Sequence, residues 1–197
     1  MQFSRLGSSQ IDVSRICLGS MTWGLQNNQH DADEQINYAL SQGINFIDTA
    51  EMYAVPPSAE TYGKTETIIG NWLARHKEKR EQVVIATKIA GPGLSWVRNG
   101  GPITPDAIYK AIDDSLARLN TDYIDLYQLH WPNRQSPHFA QHKPNGHNFV
   151  DVDTQAEIAS MEAILEALTK SIKAGKIRHW GLSDDTTWGI NTYLRLA

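Results

Sequence analysis

Two rhythms of apolar residues alternate along this chain. Short blocks dense in Val, Ile and Leu fall at Ile16–Ser20, Ile44–Asp48, Val83–Lys88, Ile124–His130 and Ile177–Ser183. Their length and β-branched content predict strands. Between them, apolar positions recur every third or fourth residue, the spacing of an amphipathic helix. One such stretch covers Asp33 to Gln42, with Gly43 as its stop. A second runs from Thr65 to about Lys79 and aligns Ile68, Ile69, Trp72, Leu73 and His76. The best-marked helix follows Thr104. Thr104 is a natural N-cap, Pro105 suits the first helical position, and Asp106 complements the helix dipole. Its stripe is Ile108, Ile112, Leu116 and Leu119, and Asn120 closes it. A fourth helix carries Ile158, Met161, Leu165, Leu168 and Ile172, and a last one begins near Thr186. Ahead of them all, Phe3–Leu6 and Ile11–Val13 flank a turn-prone Gly7-Ser8-Ser9-Gln10 and predict a small hairpin.

Strict strand–helix alternation predicts an α/β fold with parallel strands and right-handed crossovers. Two closures are compatible with it, an open doubly wound sheet and a (β/α)8 TIM barrel. Polar residues end successive strands in order, as they would around a barrel rim. A doubly wound sheet gathers its ligands at one switch point instead. Leu18-Gly19-Ser20-Met21-Thr22-Trp23-Gly24 is not the Gly-rich fingerprint of a dinucleotide fold. A barrel takes ~250 residues, so the expectation is an incomplete one: the hairpin plus about five β-α units. It forms a single domain over 1–197 without a linker, whose unpaired edges are Ile16–Ser20 and Ile177–Ser183. Such edges invite a complementary C-terminal segment or self-association.

The chemistry sits at the strand ends. Asp48, Lys88 and His130 close three successive strands, and Tyr53 follows the first by one turn of chain. A phenol is a weak acid at neutral pH, and a nearby ammonium lowers its pKa. Lys88 is placed to supply that charge, with Asp48 as counter-ion and His130 as a hydrogen-bond partner for a carbonyl oxygen. Together they describe a general acid aimed at a carbonyl while a nucleophile attacks carbon. No metal-ligand spacing emerges from the remaining histidines, so no metal is expected. A hydride from a nicotinamide is the natural attacker.

Composition narrows the setting. A net charge of −4 favours neither nucleic acid nor an anionic membrane. No apolar run approaches the ~20 residues that span a bilayer. Met1-Gln2-Phe3-Ser4-Arg5 does not open a secretory signal, and the expected location is the cytoplasm. The single cysteine, Cys17, lies in an apolar run and is expected in the core.

Asp48-Thr49-Ala50-x-x-Tyr53, the strand-ending Lys88, the run Leu126–Pro132 and the run Lys176–Ser183 resemble the aldo-keto reductase superfamily across essentially the whole chain. Ala50-Glu51-Met52-Tyr53-x-Val55-Pro56-Pro57 and the long loop after His130 are most similar to its bacterial Tas-type subgroup. The resemblance implies NADP(H)-dependent reduction of aldehydes or ketones to alcohols. It assigns Tyr53 as the acid, Asp48 and Lys88 as its tuning pair, and His130 as the orienter of the carbonyl. Trp23 and Trp131 would line the substrate mouth. Ser183, Asp184, Asp48 and Thr22 would contact the cofactor. The family's pyrophosphate contacts come from later strands, so this chain alone is expected to turn over little. A non-catalytic nucleotide-sensing or subunit protein on the same fold is the alternative.

Two positions depart from the pattern. The glycine that usually follows the tyrosine appears later, in Tyr62-Gly63-Lys64-Thr65-Glu66, so Tyr62 competes with Tyr53. Spacing from the strand end favours Tyr53. Asp184 stands where an asparagine is usual, and a carboxylate only accepts hydrogen bonds. Asp184 as cap of the following helix is the competing expectation.

Overall fold

A computed structural model describes residues 1–136 and 153–197. The hairpin is β1 (Phe3–Arg5) against β2 (Asp12–Ser14), antiparallel with Phe3 opposite Ser14. Five parallel strands follow: β3 (Cys17–Gly19), β4 (Phe46–Asp48), β5 (Val84–Ile89), β6 (Ile124–Leu129) and β7 (Ile177–Leu182). They lie side by side in chain order. A doubly wound sheet would reverse that order part-way. The architecture is therefore α/β, an incomplete (β/α)8 TIM barrel. Among the described residues, β3 and β7 each have one sheet neighbour and form its edges.

The helices are α1 (Gln29–Ser41), α2 (Lys64–Arg75), α3 (Pro105–Leu119), α4 (Thr154–Lys173) and α5 (Thr187–Leu196). α3 forms where its signals lie: the Thr104 side chain accepts from Ala107 N, and Asn120 takes the left-handed conformation at the end. α1 begins at Gln29 rather than Asp33. Asn28 caps it by accepting from His30 N and Asp31 N, while Asp31 reaches back to the Asn28 N–H. That reciprocal box supplies a start signal ahead of the apolar stripe. α2 stops at Arg75, because His76 leaves helical geometry and Lys77–Gln82 tightens into a 3-10 turn. No helix among the described residues is long and apolar enough to cross a membrane.

Side chains alternate across each strand. Ile47, Ile85, Ile89, Tyr127 and Leu129 face the helices and pack with Ile69, Trp72, Ile108, Ile112 and Leu168 in one core. Burying each of these large apolar groups contributes about 2 kcal/mol. Phe46, Asp48, Ala86, Lys88, Leu126, Gln128, His179 and Gly181 occupy the opposite parity, the concave face of the arc. Cys17 belongs to that face too, and there the expectation of a core cysteine is corrected. It is exposed, on the concave side of a strand that forms an edge of the sheet among the described residues. The strand starts are riveted by Asp125, which accepts from Arg80, from Arg178 and from the Ile85 amide.

Candidate active site

The expected site residues meet where the strands end. Lys88, last but one in β5, is 5% exposed, too buried to stand without partners. Its ammonium donates to both Asp48 oxygens at 2.7 Å and to the Thr49 carbonyl at 2.8 Å. All three of its protons are thereby placed. Thr49 N in turn donates to Ala86 O, which keeps β4 and β5 in register up to the pair.

Tyr53 stands beside this pair. The Lys88 ammonium is 5.1 Å from its ring centroid. The His130 imidazole meets the same ring edge-on at 5.7 Å, and Trp131 stacks obliquely on His130 at 5.0 Å. Tyr53 was expected to be acidified by Lys88, and here the structure corrects the sign. Burial first, then the Asp48 and Asp184 charges, push the phenol up to about 12. The lysine does not offset them because Asp48 neutralises it at contact distance. Tyr53 is accordingly protonated at neutral pH, the state a proton donor requires.

His130 is 3% exposed. Burial, reinforced by Lys88, pushes its imidazole down to about 3. It is neutral in the folded protein. The unfolded chain binds a proton near pH 6.5 and the folded one does not, so this group's stability contribution is present above 6.5. It is lost as pH falls from there toward 3, at up to ~1.4 kcal/mol per pH unit. NMR titration of the His130 ring is expected to show no step between pH 5 and 8. A step near the ordinary imidazole value would contradict this placement.

A cavity of ≈ 530 Å³ opens over Tyr53, His130 and Trp131. Met21 enters from the loop after β3, and Met52, Val55, Pro56 and Pro57 from the loop after β4. Pro92, Gly93 and Leu94 come from the loop after β5. Trp131 lines it as expected and is fixed by donating Nε1–H to Pro92 O at 3.0 Å. Gly91 permits that contact, since a Cβ there would lie 2.3 Å from Trp131 Cδ1.

Trp23 does not line the cavity, and that expectation is corrected. It is fully buried in the helix-side core, where Nε1 donates to Gln35 and its carbonyl accepts from Thr65. Its size and its partner on α1 draw it inward, and Met21 takes the wall position. Tyr62 also lies off the cavity lining, and its hydroxyl donates to Glu51 at 3.0 Å. Burial first, then Glu51, hold its phenol well above the usual range.

On the concave face, Ser183 N donates to Leu129 O, which continues the ladder past β7. Asp184 is exposed in the left-handed region at φ 39°. It is not the cap of α5. Thr186 is, accepting from Gly189 N, while Asp185 accepts from Thr186 N and Arg134. Thr22 commits its hydroxyl proton to Asn27 Oδ1 at 2.8 Å. The long loop expected after His130 falls mostly on residues 137–152, outside the described residues.

Sequence reasoning missed Met21, Met52 and the Pro92–Leu94 wall, whose only signal is proximity to strand ends. It also missed Glu51. An acid flanked by Ala50 and Met52 two residues before Tyr53 was the available hint.

Three comparisons bear on this geometry. The model of the "Aldo/keto reductase family" matches residues 15–195. Protein tas of Escherichia coli K12 is 46% identical over 203 residues, covering 100% of this chain and 56% of that protein. The uncharacterized oxidoreductase YrpG of Bacillus subtilis is 33% identical over 195 residues, covering 96% of this chain and 51% of that protein. Among solved structures, the holo form of aldo-keto reductase AKR11C1 from Bacillus halodurans superposes with a TM-score of 0.72 at 29% identity. That superposition covers 100% of this chain and 55% of the other. The chain thus spans little more than half the length of the relatives it matches.

Proposed function

The chain belongs to the aldo/keto reductase family, and from that premise we propose that its protein is an NADP(H)-dependent reductase of aldehydes and ketones. The observation that carries the reading is the convergence of Asp48, Lys88, Tyr53 and His130 from successive strand ends beside one apolar cavity. Tyr53 is the acid. Its hydroxyl gives a proton to the carbonyl oxygen as that oxygen gains negative charge. The phenolate left behind stands beside the Lys88 ammonium, which Asp48 holds in place. His130, neutral at working pH, orients the carbonyl without adding a charge. Met52, Pro92, Leu94 and Trp131 exclude water from the reacting end.

The concave face suits the carboxamide end of a nicotinamide. Ser183 offers a hydroxyl that donates and accepts, and Asp184 offers an exposed acceptor. Gly181 leaves the strand surface between Leu126 and Gln128 without a side chain of its own. Ser183, Asp184 and Asp48 are the residues that would hold this group. When bound, the reduced nicotinamide supplies the hydride that the carbonyl carbon receives.

NADPH oxidation with neutral aromatic aldehydes tests the reading, measured on the chain together with a C-terminal segment that completes the barrel. Alcohol is expected in equal amount to the NADPH consumed, and its absence with a broad aldehyde panel would sink the proposal. Among the described residues no charged side chain lines the cavity, so a carboxylate brought there would lose its water without gaining a partner. Benzaldehyde is expected to exceed 4-carboxybenzaldehyde in kcat/KM by roughly 100-fold. Equal values would show that the substrate binds elsewhere.

A further inference from the structure

Glu51 lies between Asp48 and Tyr53, yet it does not line the cavity and has no part in the proton transfer above. It is fully buried. We propose that Glu51, paired with Arg98, is a positioning residue that sets where Tyr53 stands relative to Lys88. This rests on the reductase reading for its consequence, though not for its geometry.

Every polar group of Glu51 is engaged, some within its own loop and the rest across to the end of β5 and the loop beyond it. Its N–H donates to Lys88 O at 3.1 Å, and its carbonyl accepts from Gly63 N at 2.9 Å. Carboxylate oxygen Oε1 accepts from Ala90 N at 2.6 Å, two residues beyond Lys88. Oε2 accepts from Arg98 Nη1 at 2.9 Å and from the Tyr62 hydroxyl at 3.0 Å. Arg98 also donates to Ala90 O at 2.7 Å, so the guanidinium and the carboxylate grip both sides of one residue. The chain carrying Tyr53 is therefore bolted to the strand end carrying Lys88 by contacts that lie outside the reacting atoms.

The backbone supports the same conclusion. Arg98 and Asn99 are consecutive non-glycine residues in the left-handed region, at φ 49° and 54°. Such conformations persist where the surroundings impose them. Here the Glu51 carboxylate and Ala90 carbonyl hold the guanidinium that fixes this turn. A glutamine could accept from Ala90 N, but its NH2 would then face Arg98 and the charge would be uncompensated.

Glu51→Gln tests the proposal, alone and combined with Tyr53→Phe. The single variant is expected to lose roughly 10- to 100-fold in kcat with KM for the aldehyde held within about twofold. On the Tyr53→Phe background the same change is expected to cost nothing further, because its effect runs through the phenol. Additive losses would make Glu51 a merely structural residue and overturn the proposal. Amide hydrogen exchange supplies a readout without turnover. Exchange at Ala90, Tyr53 and Val55 is expected to quicken in Glu51→Gln while amides within β5 and β6 keep their rates. Unchanged exchange at those three amides, or uniform quickening everywhere, would also overturn it. If the unaltered chain, completed by a C-terminal segment, reduces no aldehyde, the reductase reading fails, and the exchange result alone decides whether the clamp exists.

Discussion

Tyr53→Phe is expected to lower turnover by roughly 100- to 10,000-fold, the range a positioned general acid contributes, with little change in KM. Tyr62→Phe is expected to leave turnover largely intact. The two phenols differ in what their surroundings ask of them. Tyr53 lines the cavity and packs against His130 and the Lys88 ammonium. Tyr62 spends its proton on Glu51 and lies beneath the Arg118 guanidinium, 5.2 Å from its ring centroid. Removing that hydroxyl deletes one donor from a buried carboxylate, which costs about 2 kcal/mol and lowers Tm by roughly 4–8 °C. Steady-state kinetics and thermal unfolding of both variants check this together. Activity lost in Tyr62→Phe and kept in Tyr53→Phe would transfer the acid's role.

Lys88→Met is the second large expected effect. Methionine keeps most of the buried stem and removes the ammonium. Asp48 and the Thr49 carbonyl then lose their shared donor. The Asp48 side chain is 32% exposed, so water re-solvates part of it. The stability cost is therefore set by lost hydrogen bonds, about 2 kcal/mol, rather than by a fully stranded charge. Turnover is expected to fall by at least ~100-fold, because Asp48 loses the ammonium that neutralises it and its bare charge then opposes the phenolate formed on proton transfer. The same substitution removes one of the two causes that depress His130. Its imidazole pKa is expected to rise, which NMR titration reads without any substrate. Turnover retained in Lys88→Met, or a His130 titration unchanged by it, would contradict the arrangement.

Much of this was legible in the chain because the relevant signals are local. Strand alternation placed Asp48, Lys88 and His130 at successive ends, and the Thr104–Pro105 start and Asn120 stop delimited α3. The features that stayed hidden depend on residues far apart. Arg98 pairs with Glu51 across 47 positions, and Ala90 N meets it across 39. No periodicity encodes such a pairing. Trp23 was misplaced for a related reason. Its position after a strand suggested the rim, whereas its burial depends on Gln35 and Thr65 in two different helices. Cys17 was misread because its apolar neighbours suggested the core, although Ile16–Ser20 was itself expected to be an edge. The sign of the Tyr53 shift was missed because burial, followed by the Asp48 and Asp184 charges, decides it, a matter of ångströms rather than of sequence.

The parity of β5 makes this corner intolerant of a one-residue frameshift in space. Lys88 faces the concave side, and Thr87 faces α2, where its hydroxyl donates to Glu66. Deleting a single residue just upstream would rotate the ammonium toward the helices and present Asp48 with a hydroxyl or a methyl group in its place. Insertions and deletions are thereby confined to the stretches beyond the strand tips and the cavity wall, such as Ser58–Glu60, where the chain can lengthen or shorten without rotating a strand.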